Sequence, residues 1–272
     1  VIFVGLDIIV GIKWVPNTTS VNIDPKTGTL VREGIPSVVN PHDLTAVEMA
    51  LRIRDKYGGR VTAISMAPPS AIAGLEHVLG MGVDKGILAS DRVFAGADTL
   101  ATSYVLAKVI EKIGEYDLII MGHETIDSST AHIGAQVASW LHLPYIYYVT
   151  SVEYIDKEHS IKVTRILENV YEKYIIRLPA VISIAMHTLN PRRIRASNKL
   201  KAKTERRIEV WTSKDLPIDI NCAGLRGSPT VVSAIDFVPK VPRKNIIYKE
   251  DDPKKAAKWL IEKLVEEGLL EI

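Results

Sequence analysis

The chain has 272 residues, and its 34 Lys+Arg stand against 32 Asp+Glu for a formal net charge of +2, which excludes a global pull toward nucleic acid or an anionic membrane. Hydrophobic residues at 47% and charged residues at 24% exclude a disordered or fibrous chain and allow one large α/β domain with an appendage, or two modest domains. The single cysteine, Cys222, excludes an intrachain disulfide, a Cys-x-x-Cys redox pair and a cysteine-based zinc or iron–sulfur ligand set.

Asp7 to Trp14 (DIIVGIKW) is a nearly continuous apolar run, as expected of a central strand buried on both faces of a parallel sheet. Val21 to Ile23 and Thr29 to Arg32 flank Asp24-Pro25-Lys26-Thr27-Gly28, whose turn chemistry predicts a hairpin. Asn40 as N-cap and Pro41 at the first helical position open a helix with Leu44, Val47 and Leu51 inward, and Gly58-Gly59 ends it. The alternation continues: a strand at Arg60 to Met66, a short helix at Ala71 to Leu79 stopped by Gly80, and a strand at Lys85 to Ala89. Next come a helix at Asp98 to Lys112 with Leu100, Val105 and Val109 inward, a strand at Tyr116 to Met121 and a helix at Ser129 to Leu141. Strand and helix alternating in this way imply an α/β fold, a Rossmann-like doubly wound parallel sheet with right-handed crossovers.

Beyond Pro144 the pattern changes. Tyr145 to Tyr154, Ser160 to Leu167 and Val170 to Arg177 have period-two character and predict a β-hairpin extension at the sheet edge, and Ala180 to Ala185 predicts one more buried strand. Asn190 to Lys203 is basic and lacks interleaved aromatics, so it reads as a solvated face or docking surface, not an RNA site. Lys214 to Asp251 is expected to be an extended arm, and Pro253 to Leu269 an amphipathic helix with Ala256, Leu260 and Leu264 on one face that lies on a partner. The expected division is an α/β domain over residues 1–213 and a C-terminal arm and helix over 214–272.

Two further readings come from composition. No run approaches the roughly 20 apolar residues of a membrane helix, and Val1 to Val10, interrupted by Gly5 and Asp7, lacks a signal-peptide pattern, so a cytoplasmic protein without membrane insertion is expected. Gln136 is the only glutamine; depletion of thermolabile side chains is a hyperthermophile tendency, and a thermal midpoint in the mesophile range would contradict that expectation.

In an open parallel sheet, ligands bind beyond the carboxyl ends of the strands where strand order reverses. The candidate segments are therefore Gly11 to Pro16, Asn40 to Asp43, Met66 to Ser70, Ser90 to Thr102 and Gly122 to Gly134. In the last, Gly122 permits a sharp turn, and Ser128, Ser129 and Thr130 offer hydroxyls and N–H groups at a helix start, an arrangement that binds anions. The same residues equally make an N-cap cluster. Phe94, at the other polar loop, suits either core packing, the commoner fate, or contact with a flat ring system. The dinucleotide, P-loop and hydrolase glycine signatures are absent, and no two histidines have the His-x-x-x-His or His-Glu-x-x-His spacing, so no metal site is expected.

These motifs together resemble the β subunit of electron-transfer flavoproteins, relatives of nitrogen-fixation electron carriers. The resemblance is carried by Val10-Gly11-Ile12-Lys13 with Pro16, Asn40-Pro41, Gly80-Met81-Gly82-Val83-Asp84, Gly122 to Gly134, Leu178-Pro179-Ala180-Val181, Asn190-Pro191-Arg192 and Lys201-Ala202-Lys203. Three stretches are similar to the electron-bifurcating class, which holds FAD where ordinary members hold AMP: Asp91 to Ser103, Ser129-Thr130-Ala131 and Gly224 to Thr230. That class usually has glycine and aspartate where Ser128 and Ser129 stand, and glutamine where Glu124 and His132 stand.

The resemblance implies that FAD binds at Gly11, Asn40, Pro41, His42, Asp43, Met66, Phe94, Asp98, Thr99 and Thr102, and along Gly122, His123, Glu124, Thr125, Ile126, Asp127, Ser128, Ser129, Thr130, Ala131, His132 and Ile133. Its pyrophosphate is expected over Ser129, Thr130 and Ala131. No residue of the chain is expected to act as an acid–base catalyst; orientation and potential of the flavin are the protein's contribution. The implied function is to take a hydride from NADH and send one electron to the FAD of an α subunit and one to a low-potential acceptor, with a dehydrogenase or quinone-linked protein as further partner. The alternatives are an ordinary β subunit with structural AMP, and a non-redox nucleotide-binding module of the same general fold.

Overall fold

The computed structural model describes residues 5–17, 22–23, 30–31, 36–231 and 244–271. In chain order the elements are β1 (Leu6–Gly11), β2 (Trp14–Pro16), β3 (Asn22–Ile23), β4 (Leu30–Val31), β5 (Ser37–Val39), α1 (Pro41–Tyr57), β6 (Gly59–Met66), α2 (Ile72–Met81), β7 (Lys85–Ala89), α3 (Thr99–Ile113) and β8 (Leu118–Gly122). They continue with α4 (Ile133–Trp140), β9 (Tyr145–Ile155), β10 (Ser160–Leu167), β11 (Val170–Arg177), β12 (Ala180–Ile184), α5 (Ala196–Thr204), β13 (Ile208–Trp211) and α6 (Pro253–Glu266). The chain divides into two compact units, Val1–Val231 and Val232–Ile272.

In the first unit a nine-stranded sheet has the order β11-β10-β9-β12-β8-β1-β6-β7-β13. From β9 to β13 every neighbouring pair is parallel, and β10 and β11 add an antiparallel hairpin at one edge. The chain runs outward from β1 through β6 to β7, then returns to the other side of β1 for β8, so strand order reverses between β1 and β8. In open parallel sheets a ligand crevice is expected at the carboxyl ends of the strands at such a reversal.

Strands buried on both faces explain the unbroken apolar runs. Ile8 and Val10 of β1, Val61 and Ala63 of β6, and Leu118 and Ile120 of β8 pack with α1 and α2. The alternate residues Ile9, Ile64 and Ile119 pack with α3 and α4 on the opposite face. Val47 and Leu51 of α1 are completely enclosed, each contributing about 1.5–3 kcal/mol by leaving water. The α/β expectation and the edge hairpin are thus realised.

Several local expectations are corrected. Gly80 does not stop α2: it lies within the helix, where a Cβ would come 2.5 Å from Ile194 Cγ2, and Gly82, at φ +121°, ends it instead. Leu100 is 37% exposed, whereas Val105 and Val109 are buried, because Leu100 stands in the first turn beyond the sheet edge. The helix predicted from Ser129 begins only at Ile133, since Ser129 and Ala131 take left-handed conformations at φ 48° and 56° that a helix cannot contain. Helix α5 arises where only a basic face was expected, and strand β13, which pairs with β7, arises where no element was assigned.

The basic run is also partly internal. Arg192 pairs with the buried carboxylate of Glu48 at 2.9 Å and with Asp55 at 2.8 Å, while Lys203 reaches Glu76 at 3.3 Å. β3 and β4 form the expected hairpin pairing; its turn, residues 24–29, lies outside the described residues, as do residues 232–243 of the expected arm. Residues 214–231 belong to the first unit: the Asp219 N–H donates to the Tyr104 hydroxyl, and Leu216 and Ala223 are buried against α3's face of the sheet.

The second unit contains α6, capped by Asp252, whose carboxylate accepts from the Lys254 N–H at 2.9 Å. Tyr248 stacks on Trp259 at 4.5 Å between centroids, and Lys244 pairs with Glu267. Leu260, Ile261 and Val265 are exposed. No helix among the described residues is long and apolar enough to cross a membrane.

Candidate functional site

The loop after β8 is tied to β1 and α1 by side chains distant in sequence. Asn40 occupies the N-cap position of α1 but does not cap it. Its amide, fully buried, donates to the Glu124 carbonyl at 2.8 Å and accepts from the Ile126 N–H at 3.2 Å. Asn40 therefore holds the loop rather than its own helix, a correction to its predicted role. Lys13 adds a second tie, its Nζ lying 2.9 and 2.7 Å from the two Asp127 oxygens. Asp43 supplies a third from below: its carboxylate accepts from the Lys13 N–H at 2.8 Å and also from the Gly122 N–H.

Glycine is required where these elements meet. A Cβ on Gly122 would come 2.3 Å from Asp43 Oδ1 and 2.8 Å from the His42 carbonyl carbon, and one on Gly11 would strike Met121 Sδ at 2.2 Å. The close approach brings His42 beside His123, with Nδ1 atoms 3.0 Å apart and rings edge to face at 4.4 Å. Their Nε2 atoms lie 3.9 and 3.5 Å from Glu124 Oε1. The rings of Tyr147 and Tyr148 flank His123 at 6.1 and 4.9 Å.

Burial dominates the electrostatics here. It pushes the Asp43 carboxyl up to about 7 despite hydrogen bonds from Lys13, Asn40 and Gly122. Burial likewise pushes both imidazoles down, with His123 adding to the effect on His42 and Glu124 opposing it on each. Asp127 goes the other way: burial would raise its carboxyl, but hydrogen bonds from Lys13 and Thr125 and the Lys13 charge hold it below the ordinary range.

Past Asp127 the chain makes a tight turn, with the Ser129 N–H donating to the Thr125 carbonyl at 2.8 Å and the Thr125 and Ser128 hydroxyls 2.8 Å apart. The left-handed Ala131 is followed by His132 in the right-handed region, an alternation that turns successive N–H groups toward one point. The main-chain N–H groups of Thr130, Ala131, His132, Ile133 and Gly134 have no acceptor among the described residues. They end on the N-terminus of α4, whose dipole adds partial positive charge. Chemically, this row is suited to a phosphate or diphosphate.

The loop after β7 is arranged differently. Asp98 caps α3, accepting from the N–H groups of Leu100 at 2.9 Å and Ala101 at 3.1 Å, and its other oxygen accepts the Thr230 hydroxyl at 2.8 Å. Against the upward push of burial, these donors hold its carboxyl below the ordinary range. Asp91 accepts from the Ser213 hydroxyl and N–H at 2.6 and 3.0 Å. Phe94 is 5% exposed and packs in the core beneath α3. Thr99 meets Gln136 at 3.4 Å across the two helix starts, Thr102 follows in α3, and Met66 packs at the end of β6.

Four contributors escaped the sequence reading of this region. Lys13 lay in a candidate segment without a role, and Tyr147 and Tyr148 were read only as strand residues. Gln136 is the fourth: its side-chain carbonyl oxygen is buried with no hydrogen-bond partner among the described residues, leaving an acceptor for a donor from outside the chain. Its signal was its solitary occurrence.

Residues 27–215 match the family model described as the electron transfer flavoprotein domain. The electron transfer flavoprotein subunit beta of Clostridium acetobutylicum is 39% identical over 262 residues, covering 96% of this chain and 99% of that protein. The chain belongs to the electron-transfer flavoprotein β-subunit family. The corresponding subunit of Thermoanaerobacterium thermosaccharolyticum is 42% identical over 259 residues, covering 95% of this chain and 98% of the relative. Subunit CarD of the caffeyl-CoA reductase–Etf complex of Acetobacterium woodii is 40% identical over 226 residues, covering 83% and 85%. For this electron-transfer flavoprotein chain the fold also joins two of the stretches that carried the resemblance: Gly224 to Thr230 lies on the loop that opens Asp91 to Ser103, through Thr230 with Asp98 and the Leu225 N–H with the Ala95 carbonyl at 3.1 Å.

Proposed function

We propose that this β subunit holds FAD across the β1/β8 cleft and, paired with an α subunit, receives electrons from NADH and divides them between the α-subunit FAD and a low-potential acceptor. Family membership sets the coarse function, electron transfer within a complex. The observation that carries the finer reading is the row of unpaired N–H groups from Thr130 to Gly134 on the start of α4, a fit for a diphosphate. Two further features suit a dinucleotide: Gln136 offers its buried carbonyl, and Gly11 and Gly122 permit close backbone approach. The stretches Asp91 to Ser103, Ser129-Thr130-Ala131 and Gly224 to Thr230, which resemble the bifurcating class, favour the FAD reading over structural AMP.

When bound, the flavin supplies the hydride and single-electron chemistry. The chain's residues bind and orient. Thr130, Ala131 and His132 present main-chain donors to the diphosphate, while Asn40 and Lys13 fix the loop that carries them. Asp98 and Thr230 hold the loop after β7 along the cleft's other wall. In the same proposal residues 214–272 embrace the α subunit, with the exposed Leu260, Ile261 and Val265 of α6 in the contact, and the complex works in the cytoplasm with a dehydrogenase or quinone-linked partner.

Extraction and quantification of nucleotides from the copurified heterodimer test the cofactor assignment. Two FAD per heterodimer are expected; one FAD with one AMP overturns it. Deleting the residues beyond Asp251 is expected to weaken α-subunit association, and unchanged association contradicts the docking role.

A further inference from the structure

The histidine spacings in the sequence give no reason to expect a metal, yet the fold brings together donors 81 residues apart. His42 and His123 are 4% and 8% exposed. Their Nδ1 atoms, 3.0 Å apart, permit one direct hydrogen bond, whichever ring carries the proton. The remaining Nε2 atoms both turn toward one oxygen, Glu124 Oε1, at 3.9 and 3.5 Å, too far for a good hydrogen bond. A nitrogen from each ring and the carboxylate oxygen lie within 4.8 Å of one another.

We infer that His42, His123 and Glu124 form a binding site for a divalent first-row transition-metal ion, Zn²⁺ being the representative case. Two imidazoles and one carboxylate are a common three-ligand zinc set, with water completing the tetrahedron. Bond lengths of about 2.0–2.1 Å put neighbouring ligand atoms of a tetrahedron about 3.4 Å apart; the two Nε2 atoms lie 3.9 and 3.5 Å from Glu124 Oε1, so each ring and the carboxylate need close by no more than about half an ångström. Glu124, 31% exposed at its side chain, has the freedom to swing onto the ion and leaves the remaining position open to solvent. The rings are positioned beforehand: His42 by the first turn of α1 against Gly122, and His123 by Tyr147 and Tyr148. Hard oxygen-seeking ions such as Mg²⁺ do not suit this donor set. The inference does not rest on the nucleotide reading.

The full chain, copurified with its partner subunit and stripped by a chelator, is titrated with Co²⁺ by visible absorption and with Zn²⁺ by competition against a chromophoric chelator. The expected result is one equivalent of Co²⁺ with the strong visible bands of a four-coordinate site, displaced by Zn²⁺. Affinity should fall more than about tenfold, the loss that an outer-shell partner alone produces, in Glu124→Gln and in His123→Gln, and remain unchanged in the exposed-histidine control His142→Gln. Since His123→Gln alters a buried pair, Glu124→Gln with an unchanged thermal midpoint decides the matter. Absence of a stoichiometric Co²⁺ spectrum, or undiminished affinity in folded Glu124→Gln, overturns the assignment and leaves a hydrogen-bonded imidazole pair.

Discussion

The loops after β7 and β8 sit at the same edge of one sheet and draw on the same residue types, Asp, Ser, Thr and Gly. After β7 the acidic side chains take up the donors around the helix start: Asp98 accepts from Leu100, Ala101 and Thr230, and Asp91 from Ser213. From Phe94 to Ala101 only the scattered N–H groups of Gly96, Ala97 and Thr99 lack an acceptor among the described residues. After β8 the side chains brace the loop from beneath, and the main-chain N–H groups of Thr130 to Gly134 are left open. Two stretches with equal capacity for hydrogen bonding thus differ in what remains available to a ligand. Composition identifies such loops; only the full set of donors and acceptors tells a loop with a consecutive row of open donors from one without.

The sharpest way to break the contrast is Gly122→Ala. Its Cβ would collide with Asp43 and with the backbone of α1, so a loss of about 3 kcal/mol is expected in chemical denaturation, together with loss of bound nucleotide. Asn40→Ala comes next. It removes two bonds to the loop, with an expected cost of about 2 kcal/mol and faster amide exchange from Glu124 to Ser129, while exchange in the loop after β7 stays unchanged.

The buried ionisable groups beneath the β8 loop give a pH test of opposite signs. Asp43, with its folded carboxyl at about 7, contributes stability that is full below about pH 4 and is lost as pH rises toward 7. His42 and His123 are pushed down from 6.5 by burial, so their contribution is present above pH 6.5 and is lost on acidification. Asp43→Asn should remove the decline between about pH 4 and 7, and His42→Phe should flatten the acid limb below 6.5. Identical slopes in variant and parent urea midpoints would contradict both signs. The smallest effect belongs to the loop after β7: Thr230→Ala, at an exposed position, should cost only about 0.5 kcal/mol and leave the β8 loop's exchange untouched.

Legibility in the sequence follows the range of the interaction. Strands β7, β10 and β11 occupy the residues expected of them, because an apolar or alternating run bounded by turn residues is a local signal. The start of α4 was misplaced because Ser129 and Thr130 are good helix-opening residues, and the left-handed backbone at Ser129 and Ala131 has no mark in residue type. Strand β13 was missed since its four residues alternate too briefly to stand out. The strand-end rule picks out both loops as candidates, but the bonds that distinguish them join residues 84 positions apart at Asn40 and Glu124, and 132 apart at Asp98 and Thr230. No local pattern encodes such pairs.

Amide hydrogen exchange of the full complex, before and after its nucleotide is removed, tests most directly whether the β8 loop is the receptive one. Bound nucleotide is predicted to protect the amides of Thr130, Ala131, His132, Ile133 and Gly134, with little change at Asp91 to Asp98. Equal exchange at Thr130 to Gly134 in the two states, with protection appearing elsewhere, would contradict the assignment.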